Sequence, residues 1–196
     1  MTTLSIIHHS GMGHTAAAAE AIAGGAAGVD GIDVNNFAID SSQITADGGW
    51  MDAEVLEALT ASDAIVFGAA TYMGNVSWQF QAFAYATGQF WMSNGWQDKI
   101  AGGFTASSFA SGDKSSTLDY LSTLAMQLRM VWVGPATPSS NLTGDGRGID
   151  PNGFYRGVGV VGGRSDSGLP SQGDLLTAEL YGARLAEATK RWAAAA

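Results

Sequence analysis

The chain predicts an α/β fold in which a doubly wound, five-stranded parallel sheet carries helices on both faces. Three observations lead there. Apolar runs of strand length alternate with helically periodic segments along the chain, the pattern of a parallel sheet covered on both sides. The first run, Leu4 to Ile7, turns through His8-His9-Ser10-Gly11-Met12-Gly13-His14-Thr15 straight into an alanine-rich helical segment. Finally, 196 residues with 46% hydrophobic content suffice for one substantial core but not for two. A single domain over residues 1–196 is expected.

Taken in order, the first strand is Leu4 to His8 and the first helix runs from Thr15 to Ala27 through the alanine-rich stretch. The second strand is Asp33 to Ile39, followed by a helix at Asp52 to Ala61. The third strand, Ala64 to Ala69, is apolar throughout, and a helix follows at Ser77 to Thr87, where Val76, Phe80, Phe83 and Ala84 share a face. The fourth strand is Ile100 to Thr105, with a helix at Ser116 to Leu128 that aligns Leu118, Leu121, Ala125 and Leu128. The fifth is Met130 to Gly134, and a last helix runs from about Gly173 to Trp192. Between them, at about 135–173, lies a Gly-rich insertion whose length points to a functional loop. Its Arg147, Arg156 and Arg164 read as solvated charges, one of them placed to meet a dinucleotide phosphate.

The first strand-to-helix turn has the make-up of a phosphate cradle. A helix N-terminus presents unpaired N–H groups, Gly11 and Gly13 let the backbone come close, and Ser10 and Thr15 add hydroxyls. No Lys or Arg precedes Lys99, so an anion here is held by neutral donors and the helix dipole, which favours a monophosphate over a triphosphate. A Walker A loop is absent, and Gly11-x-Gly13-x-x-Ala16 weakens a dinucleotide fingerprint without excluding it. An ordinary tight turn remains the plain alternative.

In such folds ligands sit beyond the carboxyl ends of the strands, where the strand order reverses. The loops there include Ala70-Thr71-Tyr72-Met73-Gly74-Asn75 and Ala106-Ser107-Ser108-Phe109-Ala110-Ser111-Gly112-Asp113. Tyr72 and Met73 suit a flat ring, and Thr71, Gly74 and Asn75 supply donors for its polar edge. A monophosphate, a polyol chain and a flat heteroaromatic ring together describe FMN.

The run Gly68-Ala69-Ala70-Thr71-Tyr72-Met73-Gly74-Asn75-Val76-Ser77, continuing to Phe83 and Trp91, resembles the flavodoxin-like NAD(P)H:quinone oxidoreductases once called tryptophan-repressor-binding proteins. Ser10-x-x-Gly13-His14 and Pro170-Ser171-Gln172 extend the likeness over most of the chain. The resemblance implies a flavodoxin-like sheet, FMN as cofactor, and NADH or NADPH as donor. It further implies that Ser10, Gly11, Met12, Gly13, His14 and Thr15 bind the phosphate, that Thr71, Tyr72, Met73, Gly74 and Asn75 border the ring, and that Thr105, Ala106, Ser107, Ser108 and Gly112 close its other side. Trp91 matches the family's pocket tryptophan and is expected to wall the substrate face. The chain departs from the family at Ala70, where Pro is common, at Phe109 to Gly112, where glycine is denser, and at Met126-Gln127-Leu128, where a His is usual. It also lacks the family's insertion after the second strand, so assembly as a homo-oligomer is left open.

A formal charge of −9 and a pI near 4.5 argue against nucleic-acid partners. Without cysteine there is no disulfide, thiol nucleophile or zinc-thiolate site. No apolar run reaches membrane-spanning length and no secretory leader is recognisable, so a cytoplasmic location is expected. The three histidines, His8, His9 and His14, crowd one segment and offer no distributed metal set. The functional expectation is an FMN-dependent oxidoreductase passing two electrons from NAD(P)H to a small acceptor such as a quinone. The alternatives are a flavodoxin-type electron carrier and a flavin-binding protein without NAD(P)H turnover.

Overall fold

The structure, a computed structural model, describes residues 1–163 and 168–194; Arg164 lies outside the described residues. The elements follow in the order β1 (Thr2–His9), α1 (His14–Ala27), β2 (Ile32–Ala38), α2 (Ala53–Ala61), β3 (Ala64–Tyr72), β4 (Asn75–Val76), α3 (Trp78–Ala86), α4 (Gly88–Ser93), β5 (Ile100–Ser107), α5 (Lys114–Gln127), β6 (Val131–Trp132), α6 (Ser140–Thr143), β7 (Val158–Val161) and α7 (Gln172–Ala193). The sheet order is β2-β1-β3-β5-β6, with β7 also on β5. The main ladders are parallel, with Leu4 opposite Ala64 and Ala64 opposite Ile100. Strand order reverses between β1 and β3, so their carboxyl ends part and leave a crevice there.

Alternation along the strands divides the core. Ile7, Ile65 and Phe67 face Phe80, Phe83, Trp96, Leu118 and Leu121 on one side. Leu4, Ile6, Val66 and Phe104 face Ala18, Ile22, Tyr181 and Leu185 on the other. Both predicted helical stripes are buried. On the second side α1 and α7 cross with backbones almost touching: a Cβ on Gly182 would stand 2.0 Å from the carbonyl oxygen of Ile22. Only glycine permits that approach.

The sequence placed the insertion after a fifth strand at Met130 to Gly134; the structure places it inside that strand. β6 pairs with the start of β5, through Ile100 opposite Val131, and β7 pairs with its end, through Phe104 opposite Val158 and Ser107 opposite Val161. One sheet position is thus filled by two pieces of chain, because the ladder needs backbone partners and not continuity. Tyr181 stitches the gap, donating to the Val133 carbonyl at 2.5 Å and accepting from the Gly103 amide at 3.2 Å; burial pushes its phenol well up. Within the insertion, Asp150 accepts from the Gly153 and Phe154 amides, and its own amide donates to Thr177 on α7. Burial raises the Asp150 carboxyl above the ordinary carboxylate range.

Two further differences bear on the site. The third strand runs on to Tyr72 and turns back through Met73 and Gly74, at φ 50° and 76°, into β4, which pairs antiparallel with it. This is a two-residue hairpin of the kind that requires positive φ at both central positions. The predicted helix at Ser77 to Thr87 is followed at once by a second short helix, α4.

Candidate functional site

The carboxyl ends of β1, β3 and β5 meet at a cavity of about 90 Å³ lined by Ser10, Gly11, Met12, His14, Thr15, Ala70, Thr71, Tyr72, Ala106, Ser107 and Ser108. Its floor is the N-terminus of α1. Gly13 caps that helix at φ 84° without a side-chain hydrogen bond, and the first turn holds no acidic residue. The amides of the first turn lack intrahelical acceptors and carry the positive end of the helix dipole. Thr15 is almost wholly buried, and the buried Ser10 Oγ has no hydrogen-bond partner. The His14 ring packs on β7's end, since a Cβ on Gly162 would fall 2.1 Å from its Nδ1. Among the described residues no Lys or Arg lines the cavity. These are the donors an anion needs, preformed and uncharged.

The walls are fixed from behind. Thr71 Oγ1 lies 2.7 Å from both Thr105 Oγ1 and Thr117 Oγ1, and Thr105 donates to the Ala69 carbonyl at 2.6 Å. Three buried hydroxyls thereby lock β3, β5 and α5 where the two walls begin. Thr105→Val leaves acceptors in this network unsatisfied and is expected to lower unfolding stability by about 2 kcal/mol, measurable by denaturant titration; an unchanged midpoint would contradict the role. Tyr72 leans across the mouth, its hydroxyl 2.3 Å from where a Gly11 Cβ would stand. The cavity's volume matches a phosphate, not a tricyclic ring. A ring would lie on the open rim between the hairpin and the Ser107–Ser108 side.

The structure therefore brings together Ser10, Gly11, Met12, His14 and Thr15 with Thr71, Tyr72, Ala106, Ser107 and Ser108. Gly13 contributes backbone alone. Met73 is fully exposed at the hairpin tip beside Gly74 and Asn75, outside the cavity. Gly112 lies behind Ser107, whose Oγ would be 2.0 Å from an added Cβ. Thr105, expected to touch the cofactor, is instead fully buried with its hydroxyl engaged by Ala69 and Thr71, so it supports the wall. Trp91 is not among the residues that line the cavity. It lines a separate depression with Leu124, Gln127 and Leu128, whereas the cavity lies near the opposite, Lys114 end of α5, a helix about 20 Å long by its residue count. Arg129 donates to the Trp91 carbonyl at 3.0 Å and lies 6.0 Å over its ring. Trp96 is a fully buried core residue, stacked on Phe90 at 4.5 Å.

Two contributors went unrecognised in the sequence. Thr117 is read there only as part of a helix. Lys114 is fully buried and donates to Ser107 Oγ at 2.9 Å and to the carbonyls of Phe109 and Ala110 at 2.6 and 2.9 Å. A lysine opening a helix, next to a loop otherwise free of cations, was the available signal. Of the insertion's arginines, Arg156 pairs with Asp119 on an exposed face, and Arg147 is exposed. Burial pulls His8 down to about 4 and lowers His9 as well, the latter against the nearby Asp40 carboxylate. Both imidazoles are neutral at pH 7. Among the described residues no cluster fit for a metal occurs, and no helix is long and apolar enough to cross a membrane.

Comparison with known proteins agrees with this geometry. A protein of Pseudomonas aeruginosa named flavodoxin FldP is 38% identical over 190 residues, covering 95% of this chain and 96% of its own. An NAD(P)H dehydrogenase (quinone) of Solidesulfovibrio magneticus is 30% identical over 200 residues, covering 95% and 97%. The crystal structure of a WrbA-like flavodoxin from Agrobacterium tumefaciens superposes with a TM-score of 0.73 at 38% identity, over 97% of this chain and 99% of that one. The fold is thus flavodoxin-like. Residues 8–143, from the end of β1 through α6, match the family described as NADPH-dependent FMN reductase, and the chain belongs to that family.

Proposed function

We propose that this protein holds FMN at the β1–α1 cradle and passes two electrons from NADPH or NADH, through the flavin, to a quinone-like acceptor. One observation carries the site assignment. The cradle is built of helix N-terminal amides, a partnerless buried Ser10 hydroxyl and His14, has no Lys or Arg among the described residues, and opens directly onto a rim walled by Tyr72 and Ser107–Ser108. A monophosphate joined to a flat ring satisfies both parts at once.

FMN, when bound, supplies the hydride and two-electron chemistry; the chain supplies position and access. The amides at the start of α1, with Ser10, His14 and Thr15, hold the phosphate. Thr71 and Tyr72 border the ring on one side, with Met73, Gly74 and Asn75 at the tip of that wall. Ala106, Ser107 and Ser108, with the loop up to Gly112, border it on the other. The small cavity leaves a ring at the open rim, where donor and acceptor take the same face in turn.

A ping-pong pattern is therefore expected. Initial rates of NADPH oxidation measured against a soluble quinone should give parallel double-reciprocal lines, and intersecting lines would contradict the shared face. The electron-carrier reading is favoured by the Pseudomonas relative's name and by the charge of −9, which suits docking to basic redox proteins. It predicts FMN binding with no steady-state NAD(P)H turnover.

A further inference from the structure

A lysine side chain is almost never fully buried unless its charge is satisfied, and Lys114 is fully buried at the first position of α5. Its ammonium is held under the loop that follows β5, with Ser107 Oγ, Phe109 O and Ala110 O all within 2.9 Å. Phe154 of the insertion lies 5.4 Å away, and β7 closes from the side, where a Cβ on Gly159 would come within 3.1 Å of Lys114 Cε. Ser107 Oγ also donates to the Phe109 carbonyl at 3.0 Å, and the Lys114 amide donates to the Ser111 carbonyl at 3.1 Å. Phe109, Ala110 and Ser111 are exposed, and among the described residues the amides of Ala110 and Ser111 donate to no protein acceptor.

The peptide plane turns this anchoring into a functional arrangement. In a trans peptide the carbonyl of one residue and the N–H of the next point in opposite directions, and the chain has no cis bond. Drawing the Phe109 and Ala110 carbonyls inward onto Lys114 therefore turns the Ala110 and Ser111 N–H groups outward, on the exposed stretch that follows the Ser107–Ser108 wall of the cavity. We propose that Lys114 is a positioning residue that holds this loop with two amides outward as preformed donors to the acceptor atoms of the flavin ring's polar edge. This rests on the FMN reading above and adds to it a residue that does not touch the cofactor. Donors fixed in advance favour the more negative, reduced ring over the oxidised one, because no reorganisation is needed as charge develops.

Two measurements test it. In the wild-type protein, amide hydrogen exchange at Ala110 and Ser111 should be fast without FMN and slowed at least about tenfold with FMN bound, each amide then being in a hydrogen bond. Lys114→Met keeps the stem length and removes the ammonium. The variant should bind FMN about tenfold more weakly, the equivalent of one or two ordered hydrogen bonds, and its bound flavin should have a more negative midpoint potential, which a purely structural role would not produce. Unprotected amides, or a folded variant with wild-type affinity and potential, would overturn the role of Lys114 while leaving FMN binding standing. A wild-type protein that does not bind FMN would overturn both readings.

Discussion

Gly13→Val should weaken FMN binding by about 100-fold or more, with Gly13→Ala intermediate. Gly13 caps α1 at φ 84°, a conformation costing roughly 1–3 kcal/mol for a side-chain-bearing residue and most for a β-branched one. A Cβ there would meet no protein atom within 4 Å, so the effect does not come from crowding within the fold. It comes from the backbone: relaxing that φ turns the first amides of α1 away from the anion, and each hydrogen bond lost to a charged group is worth about 1.5–3 kcal/mol. Riboflavin, which lacks the phosphate, should bind wild type and variant alike, and equilibrium fluorescence titration with both flavins separates the two cases. Equal loss for riboflavin would place the damage outside the phosphate site, and unchanged FMN affinity would remove the phosphate from this loop altogether.

The second large effect is on acid stability. Burial holds folded His8 at about 4, against an ordinary value of 6.5, despite hydrogen bonding to Asn36 that opposes the shift. Between those pH values the unfolded chain carries a proton that the folded chain refuses, so stability declines as pH falls through 6.5 and stops declining on this account below 4. The full difference is roughly 3 kcal/mol, about 2 of it expressed between pH 7 and pH 5. His9, also lowered by burial, acts in the same direction. Denaturant titrations at pH 7 and 5 on wild type and His8→Phe should show the variant losing about 2 kcal/mol less on acidification. An identical loss would mean that His8 titrates normally in the fold. Since both histidines sit on the strand that feeds the phosphate loop, FMN retention should weaken along with stability in acid.

Where a local pattern decided the structure, the sequence was readable. The central strands are apolar because both faces are covered, and the stripes through Phe80 and Phe83 and through Leu118, Leu121 and Ala125 are buried as their spacing requires. The β1–α1 turn that lines the cavity was legible for a similar reason: Ser10 through Thr15 are contiguous, so their chemistry can be seen without knowing the fold. What stayed hidden depended on distant partners. β7 is four residues with Gly159 inside it and Gly157 and Gly162 on either side, and only its pairing with Phe104 to Ser107 makes it a strand. The resemblance placed Thr105 beside the cofactor, but the Ala69 carbonyl and Thr71 engage its hydroxyl. Trp91 matched a family position in sequence, while α4, which no periodicity announced, carries it to the far end of α5. Lys114 escaped notice because its burial depends on the loop carbonyls and on β7 folding over it, and the only linear signal was a lysine opening a helix beside a loop otherwise free of cations.

The central claim, that the cradle loads FMN for reduction by a nicotinamide nucleotide, is tested most directly by one anaerobic titration. The purified protein is titrated with FMN to saturation while flavin fluorescence is followed, and NADPH or NADH is then added while absorbance near the flavin maximum is recorded. The expected result is one FMN bound per chain with quenched fluorescence, then prompt bleaching by one equivalent of at least one of the two donors. Binding without bleaching by either would contradict the oxidoreductase account and leave an electron carrier, and absence of binding would contradict the assignment of the site itself.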